Sequence, residues 1–332
     1  MLITVCSLLC VLCSCSPPKE GIYKKSKILM DTLVTITVVS GTKENAEKAI
    51  DTAFLELENL EKRASFFSPE SEISRINSNA GVSGVKVSSD ILAILSRSLY
   101  VSEKTSGAFD ISIGTVSSLY DFHKQIKPDL YIIRKNLPLV NYRDIIIDEN
   151  KSSVFLKKKN MRIDTGGIAK GFAADKAVEI LKKQGIHSGI VAVAGEIKTF
   201  GLKPDGKPWK IGIRNPRATD REDDIMATTE LTDMAISTSG DYERFFVSEG
   251  KRYHHLLDPK TGLPAGDCMS VTVIAKEAVF TDAFATGVFI LGPEKGLKLL
   301  DEMGFEGIIV DSRGKMHLTS GIRGKVEFKK AS

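Results

Sequence analysis

Residues 169–213 read AKGFAADKAVEILKKQGIHSGIVAVAGEIKTFGLKPDGKPWKIGI, from Ala169 to Ile213, and this stretch decides the fold class. Ala173, Ala174, Ala177, Val178 and Leu181 recur at helical spacing, so a helix is predicted over about Ala169–Gln184, with Gly185 ending it. Gly189–Val193 and Trp209–Ile213 follow as short strand-like runs with no helical pattern between them. A regular βαβ series would return to helix after each strand, so successive strands indicate α+β.

The flanks agree. Upstream, Thr32–Val39 alternates as a strand, and amphipathic helices are predicted over Lys43–Arg63 and Ser89–Thr105. Ile145–Ile147 and Ser153–Leu156 are short strand candidates. Downstream come strands at Ala235–Thr238 and Ser270–Ala275, helices at Thr281–Ile290 and Glu294–Met303, and strands at Gly307–Val310, Met316–Leu318 and Lys325–Phe328. No repeat and no flexible linker divides these elements. One large α+β domain is expected over residues 30–332, with mixed and antiparallel sheets packed against helices.

The chain has 332 residues, 42% apolar and 27% charged, which suits a globular protein with an ample core. Its 46 basic and 42 acidic side chains leave a net charge of +4, with no basic concentration of the kind a nucleic-acid binder carries. Asp220–Asp224 reads as an exposed loop. Four of the five cysteines lie in the first 15 residues, which excludes a disulfide framework or a four-thiolate zinc site in the remainder. Leu2–Cys13 is an apolar run too short for a spanning helix but suited to an export signal, although Met1–Thr4 lacks the usual basic start. Cys10 and Cys13 form a C-x-x-C pair that reads as apolar filler inside this leader. The run ends Leu12-Cys13-Ser14-Cys15, which resembles a bacterial lipobox. That resemblance implies removal of residues 1–14, lipidation of Cys15, a polar tether over residues 15–29, and residence on the extracytoplasmic (periplasmic) face of a bacterial membrane.

P-loop, zincin, G-x-S-x-G and Rossmann signatures are absent. Polar-glycine islands remain. Arg162–Gly171 (RIDTGGIAKG) lies between a strand and a helix, where glycines admit a ligand and the helix start favours an anion; an ordinary capped turn reads the same way. Arg252–Gly262 (RYHHLLDPKTG) carries adjacent His254 and His255, only one of which can face a site on a strand. Asp282 and Thr286 are four apart on one helix face, where two hard oxygens suit Mg²⁺, or where Asp282 caps and Thr286 back-bonds to a carbonyl.

In this order, MDTLVTI at 30–36, SFFSPESEISRIN at 65–77, SGAFDIS at 106–112, DTGGIAKG at 164–171, STSGDYER at 237–244, HLLDPKTG at 255–262 and TDAFAT at 281–286 closely resemble the ApbE family of FAD:protein FMN transferases. The resemblance runs from about Met30 to the chain end. It implies Mg²⁺-dependent cleavage of FAD, transfer of FMN to a Thr or Ser hydroxyl of an exported acceptor protein, and release of AMP. By position it implies that Met30, Phe67, Ala108, Phe109, Asp110, Asp164, Lys170 and Leu256 line the FAD site. It further implies that the Gly167 carbonyl, Asp282 and Thr286 hold Mg²⁺, and that His255 is the catalytic base. Phe67 and Phe109 would offer ring faces for stacking. Three features depart from the family pattern: Phe67, often Tyr; Ala194-Gly-Glu-Ile in place of Gly-Gly-Asp-Ile, which the fold is expected to tolerate; and His254 directly beside the catalytic His255. FAD hydrolysis to FMN and AMP, and a non-enzymatic membrane-tethered flavin carrier, are the alternative functions.

Overall fold

The computed structural model describes residues 20–218 and 224–329. The leader, Cys15 and most of the Asp220–Asp224 run lie outside the described residues.

The α+β expectation holds. An eight-stranded sheet runs in the order Gly21–Leu29, Thr32–Ser40, Gly189–Val193, Glu196–Phe200, Ala235–Gly240, Cys268–Ala275, Glu306–Asp311, Met316–Leu318. Every neighbouring pair in it is antiparallel. Alternation along each strand divides the side chains between two layers. Val34, Ile36, Val38, Val191 and Val193 face a core shared with helices Lys43–Ala64, Ser89–Lys104 and Ala169–Lys183. Val39, Ile236, Ile274 and Ile308 face the other way, onto Trp209, Ile211, Ile213 and Leu231 of a three-stranded sheet.

Helix Ala278–Leu291 is apolar or small on nearly every side, with Ala278, Val279, Ala283, Phe284, Ala285, Val288 and Phe289 all buried. A helix that is apolar all round is wrapped all round. Asp282 therefore enters the interior with the helix that carries it. This helix and Ala169–Lys183 cap one another: Val279 N–H donates to Asp175 Oδ2, and Gly171 N–H donates to Asp282 Oδ2, each at 2.9 Å. Both carboxylates thus meet positive helix ends. A Cβ on Gly171 would lie 2.2 Å from the Ala278 carbonyl oxygen and 2.7 Å from Asp282 Cβ, so only glycine lets the two helices approach this closely.

Part of the expected tether is strand. Residues 21–29 pair in full register with 32–40, from Gly21–Ser40 to Leu29–Thr32. Lys24, Lys25 and Lys27 make the segment polar enough to read as a linker, but lysines are also what an exposed edge strand carries. The Ser65–Asn77 island likewise contains a helix, Glu72–Ser78, capped by Ser71. Strands Glu196–Phe200 and Ile225–Leu231 escaped the alternation pattern.

Two tight turns lie side by side at one end of the large sheet. Met30 and Asp31 close the first hairpin with φ of +53° and +56°. Such turns usually hold Asn-Gly, so side chains here impose strain, and the Met30 N–H is anchored on Glu61 Oε1 at 2.8 Å. Ala194 and Gly195 close the second, and Ala194 has φ +56°, a left-handed conformation that favours glycine. The Ala194 N–H donates to the Leu33 carbonyl at 3.2 Å, joining the two turns.

Candidate active site

The dispersed islands meet at this end of the sheet. Asn77 clamps the Arg162–Asp164 segment like a neighbouring strand, donating to the Ile163 carbonyl at 3.0 Å and accepting from the Ile163 N–H at 2.8 Å. The Asp164 N–H donates to the Ile111 carbonyl at 2.8 Å, and a Cβ on Gly114 would strike the Asp164 backbone nitrogen at 2.8 Å. An added Cβ on Gly167 would sit 3.3 Å from Phe109 Cε2 and 3.4 Å from Thr286 Oγ1. Thr286 Oγ1 in turn bonds Ser239 Oγ at 3.1 Å, and Ser237 Oγ bonds Thr281 Oγ1 at 2.6 Å. Five islands are thereby stitched together through Asn77, Phe109, Gly167, Ser239 and Thr286. Thr286 hydrogen-bonds a strand hydroxyl, and Asp282 caps the neighbouring helix, not its own.

Asp282 is 3% exposed. Burial, then the charge of Glu196, pushes its carboxyl up to about 7, against the pull of Lys170 and the Gly171 N–H. Lys170 Nζ donates to Glu196 Oε1 at 2.6 Å. Burial alone would lower the Lys170 ammonium, but Glu196 and Asp282 outweigh it and hold it raised. Glu243 is raised too, by desolvation and by Glu196, against Lys170. Glu196 thus bonds the lysine directly, and Asp282 and Glu243 add negative charge to its surroundings.

This negative surplus fits a hard cation. Asp282 carboxylate, Thr286 hydroxyl and the Gly167 carbonyl would offer an all-oxygen set, the kind Mg²⁺ takes while keeping positions for phosphate. Among the described residues no group of three or more His, Cys, Asp or Glu side chains could hold a metal.

The adjacent histidines point in different directions. His254 is 5% exposed, donates from Nε2 to the Ala265 carbonyl at 2.8 Å, and stands edge-on to Phe289. Its Nδ1 is buried without a partner. His255 lies half-buried on the other side, with Nδ1 3.3 Å from the Arg244 carbonyl. A carbonyl only accepts, so Nδ1 carries the hydrogen and the Nε2 lone pair is free. Desolvation first, then Arg244, lowers the His255 imidazole to about 3, with Lys170 also contributing. It is neutral at physiological pH. Between about 3 and the ordinary 6.5, an unfolded chain holds a proton here that the folded chain refuses, so folded stability falls as pH drops through that window. The Tm of the wild type minus that of His255→Asn is expected to decline from pH 6.5 to pH 4. A difference that stays flat across that range contradicts the burial of a neutral ring.

The remaining expected residues divide. Phe67 is 75% exposed and stands edge-on to Phe66, which lies under the Arg162 guanidinium. Its ring is open to a ligand. Phe109 is 3% exposed, so it is floor beneath Gly167 and offers no stacking face. The apolar pattern around Ser106–Ile111 draws that ring into the main core. Asp110 is also committed internally. Oδ1 accepts from Ser112 N–H and Oγ at 2.8 and 2.6 Å, and Oδ2 accepts from the Tyr142 N–H at 2.8 Å. Burial raises its carboxyl despite those donors. Ala108 and Leu256 are buried wall. Asp164 accepts from the Gly166 N–H at 2.9 Å, and burial raises it against the pull of Gly166, Ser117, Arg244 and Arg162. Glu196, Glu243 and Arg244 were missed as site residues. They lie inside stretches already visible in sequence, STSGDYER at 237–244 and AGEI at 194–197, but no spacing rule distinguishes them from surface charges.

Residues 30–309 match the ApbE family. A Treponema pallidum (strain Nichols) protein named FAD:protein FMN transferase is 31% identical over 341 residues, covering 96% of this chain and 94% of its own length. A protein of the same name from Vibrio cholerae serotype O1 is 30% identical over 306 residues, covering 90% of each chain. The crystal structure of the ApbE protein of Thermotoga maritima superposes with a TM-score of 0.86 at 30% identity, covering 92% of this chain and 99% of that one. The apo form of Pseudomonas stutzeri flavinyl transferase ApbE gives 0.79 at 29% identity, covering 92% and 97%.

Proposed function

Because the chain belongs to the ApbE family, we propose that it is an FAD:protein FMN transferase. It moves FMN from FAD to a Thr or Ser hydroxyl of an exported acceptor protein and releases AMP, with Mg²⁺ required. The observation that carries this reading is the packing of the DTGGIAKG segment on the helix that bears Asp282 and Thr286: the Gly171 N–H meets Asp282 Oδ2 at 2.9 Å, and a Cβ on Gly167 would lie 3.4 Å from Thr286 Oγ1.

The chemistry asks for positioning and charge neutralisation. Bound Mg²⁺ supplies positive charge to the pyrophosphate oxygens. Asp282, Thr286 and the Gly167 carbonyl would hold it. Lys170 adds a second positive charge beside Asp282. The acceptor hydroxyl oxygen forms the new bond to the FMN phosphorus, the bond between that phosphorus and the bridging oxygen breaks, and AMP departs with the bridging oxygen. The hydroxyl proton passes to Nε2 of His255, the nitrogen that Arg244 leaves free. Desolvation makes the imidazole a weak base, and a dinucleotide's negative charge beside it would raise its basicity.

The test is direct. Protein beginning after Cys15 is mixed with FAD and Mg²⁺, with and without an acceptor protein, and AMP is followed. Acceptor-dependent AMP with flavin bound covalently to the acceptor supports transfer. Equal AMP without acceptor identifies FAD hydrolysis instead, and flavin binding without AMP identifies a carrier.

Phe67 stacks on a planar ring of FAD in this reading. Phe67→Ala is expected to weaken FAD binding roughly 10-fold, the size of a lost aromatic stack, with little change in Tm because the side chain is exposed. Unchanged affinity removes the ring from the site.

We also place the protein at the extracytoplasmic face of a bacterial membrane through a lipid on Cys15. The Leu12-Cys13-Ser14-Cys15 sequence behind an apolar run supports this. Labelled palmitate is expected to enter the wild type and not Cys15→Ala. Equal labelling of both contradicts the anchor.

A further inference from the structure

Glu196 has no part in the mechanism above, yet it is 3% exposed and lies against Lys170. The strained Ala194–Gly195 turn delivers it there, with Ala194 at φ +56°. Its Oε1 accepts from Lys170 Nζ at 2.6 Å, and its Oε2 is buried with no partner at all. A carboxylate removed from water and given only one hydrogen bond is poor stabilising material, since a buried ion pair of this kind contributes little to folding. Its geometry is better explained by what it does to the lysine.

A lysine ammonium is a point charge on a flexible four-carbon stem with three donors. Left alone beside Asp282 and Glu243, it would distribute itself among them. With one N–H fixed on Glu196, the other two have fixed directions. We propose that Glu196 is a positioning residue: it holds the Lys170 ammonium so that its two remaining donors meet the pyrophosphate oxygens of the bound dinucleotide. This rests on the transferase reading of the crevice.

Positioning and simple structural support make opposite forecasts. Removing Glu196 frees Lys170 from its neutralising partner, so ground-state attraction for anionic FAD persists or strengthens. Alignment is lost, and misplacement on the scale of an ångström costs about 100-fold in rate. Glu196→Ala is therefore expected to lower kcat for AMP release by about 100-fold while FAD affinity, read by flavin fluorescence without Mg²⁺, is equal or tighter. Glu196→Asp keeps the charge and recovers most of the rate. Lys170→Met weakens FAD binding and lowers kcat, and adding Glu196→Ala to it changes neither further.

Several results overturn the proposal. One is a folded Glu196→Ala protein with wild-type kcat. Another is loss of FAD affinity in parallel with rate. A third is Glu196→Asp no better than Glu196→Ala, and a fourth is a double variant whose defects multiply. If the wild type releases no AMP, the transferase reading has failed. The FAD affinities then decide alone: equal binding by Lys170→Met and the double variant upholds the pairing, and a further change refutes it.

Discussion

Asp282→Ala is expected to lower divalent-dependent AMP release by at least about 100-fold, the size of effect seen when a preorganised electrostatic group is removed. Its carboxylate is the one acidic ligand in the proposed cation set, so its loss leaves a hydroxyl and a carbonyl, neither with a formal charge. The same side chain also accepts the Gly171 N–H at 2.9 Å, so alanine alone would confuse chemistry with helix packing. Asp282→Asn separates them. The amide oxygen keeps the Gly171 hydrogen bond and removes the charge, and activity should fall as far as in alanine.

Stability should move the other way. Burial, then the charge of Glu196, pushes the Asp282 carboxyl up to about 7, above the 3.8 of an ordinary Asp. The folded state therefore binds more protons than the unfolded chain between those values, and stability is lost as pH rises through that window. Asn has no such loss. At pH 8 without divalent cations, Asp282→Asn should melt above the wild type. Added Mg²⁺ should raise the wild-type Tm and leave that of the variant unchanged. Full turnover in either variant, or equal Mg²⁺ stabilisation of Asp282→Asn, removes the cation from this helix face.

The second large effect concerns the two histidines. His255→Ala should cut transfer by about 100-fold or more, because it removes the imidazole whose Nδ1 is held by the Arg244 carbonyl and whose Nε2 takes the acceptor proton in the proposed mechanism. His254→Ala should act on the fold. Its ring packs on Phe289 and satisfies the Ala265 carbonyl, so truncation leaves a cavity and an unpaired acceptor. A destabilisation of about 2–4 kcal/mol is expected, with kcat within a few-fold of wild type for the protein that remains folded. Denaturant unfolding and AMP release measured on the same samples separate the two. The reverse pattern would make His254 the base.

The sequence made the helices legible because their apolar stripes are long. Ala169–Lys183, Ser89–Lys104 and Lys43–Ala64 end within about a residue of their expected bounds. Gly21–Leu29 was hidden because an edge strand needs no apolar face and its lysines read as a linker. The site islands were visible as glycine and acid segments, but their assembly depends on contacts across large sequence separations, such as Asn77 to Ile163 and Gly171 to Asp282. No periodicity encodes those. The exposure of a side chain is equally invisible: Phe67 and Phe109 looked alike, and tertiary packing left one at 75% and the other at 3%. The choice between His254 and His255 needed the strand's two faces to be assigned, which the Phe289 contact does.

A crystal grown with FAD and Mn²⁺ in place of Mg²⁺ tests the central claim most directly, since anomalous scattering locates the metal without reference to the flavin. The account predicts one Mn²⁺ about 2.1–2.2 Å from oxygens of Asp282, Thr286 and the Gly167 backbone, touching the pyrophosphate, with Lys170 on the same phosphates. Metal bound elsewhere, or a pyrophosphate lying away from Asp282 and Lys170, contradicts it.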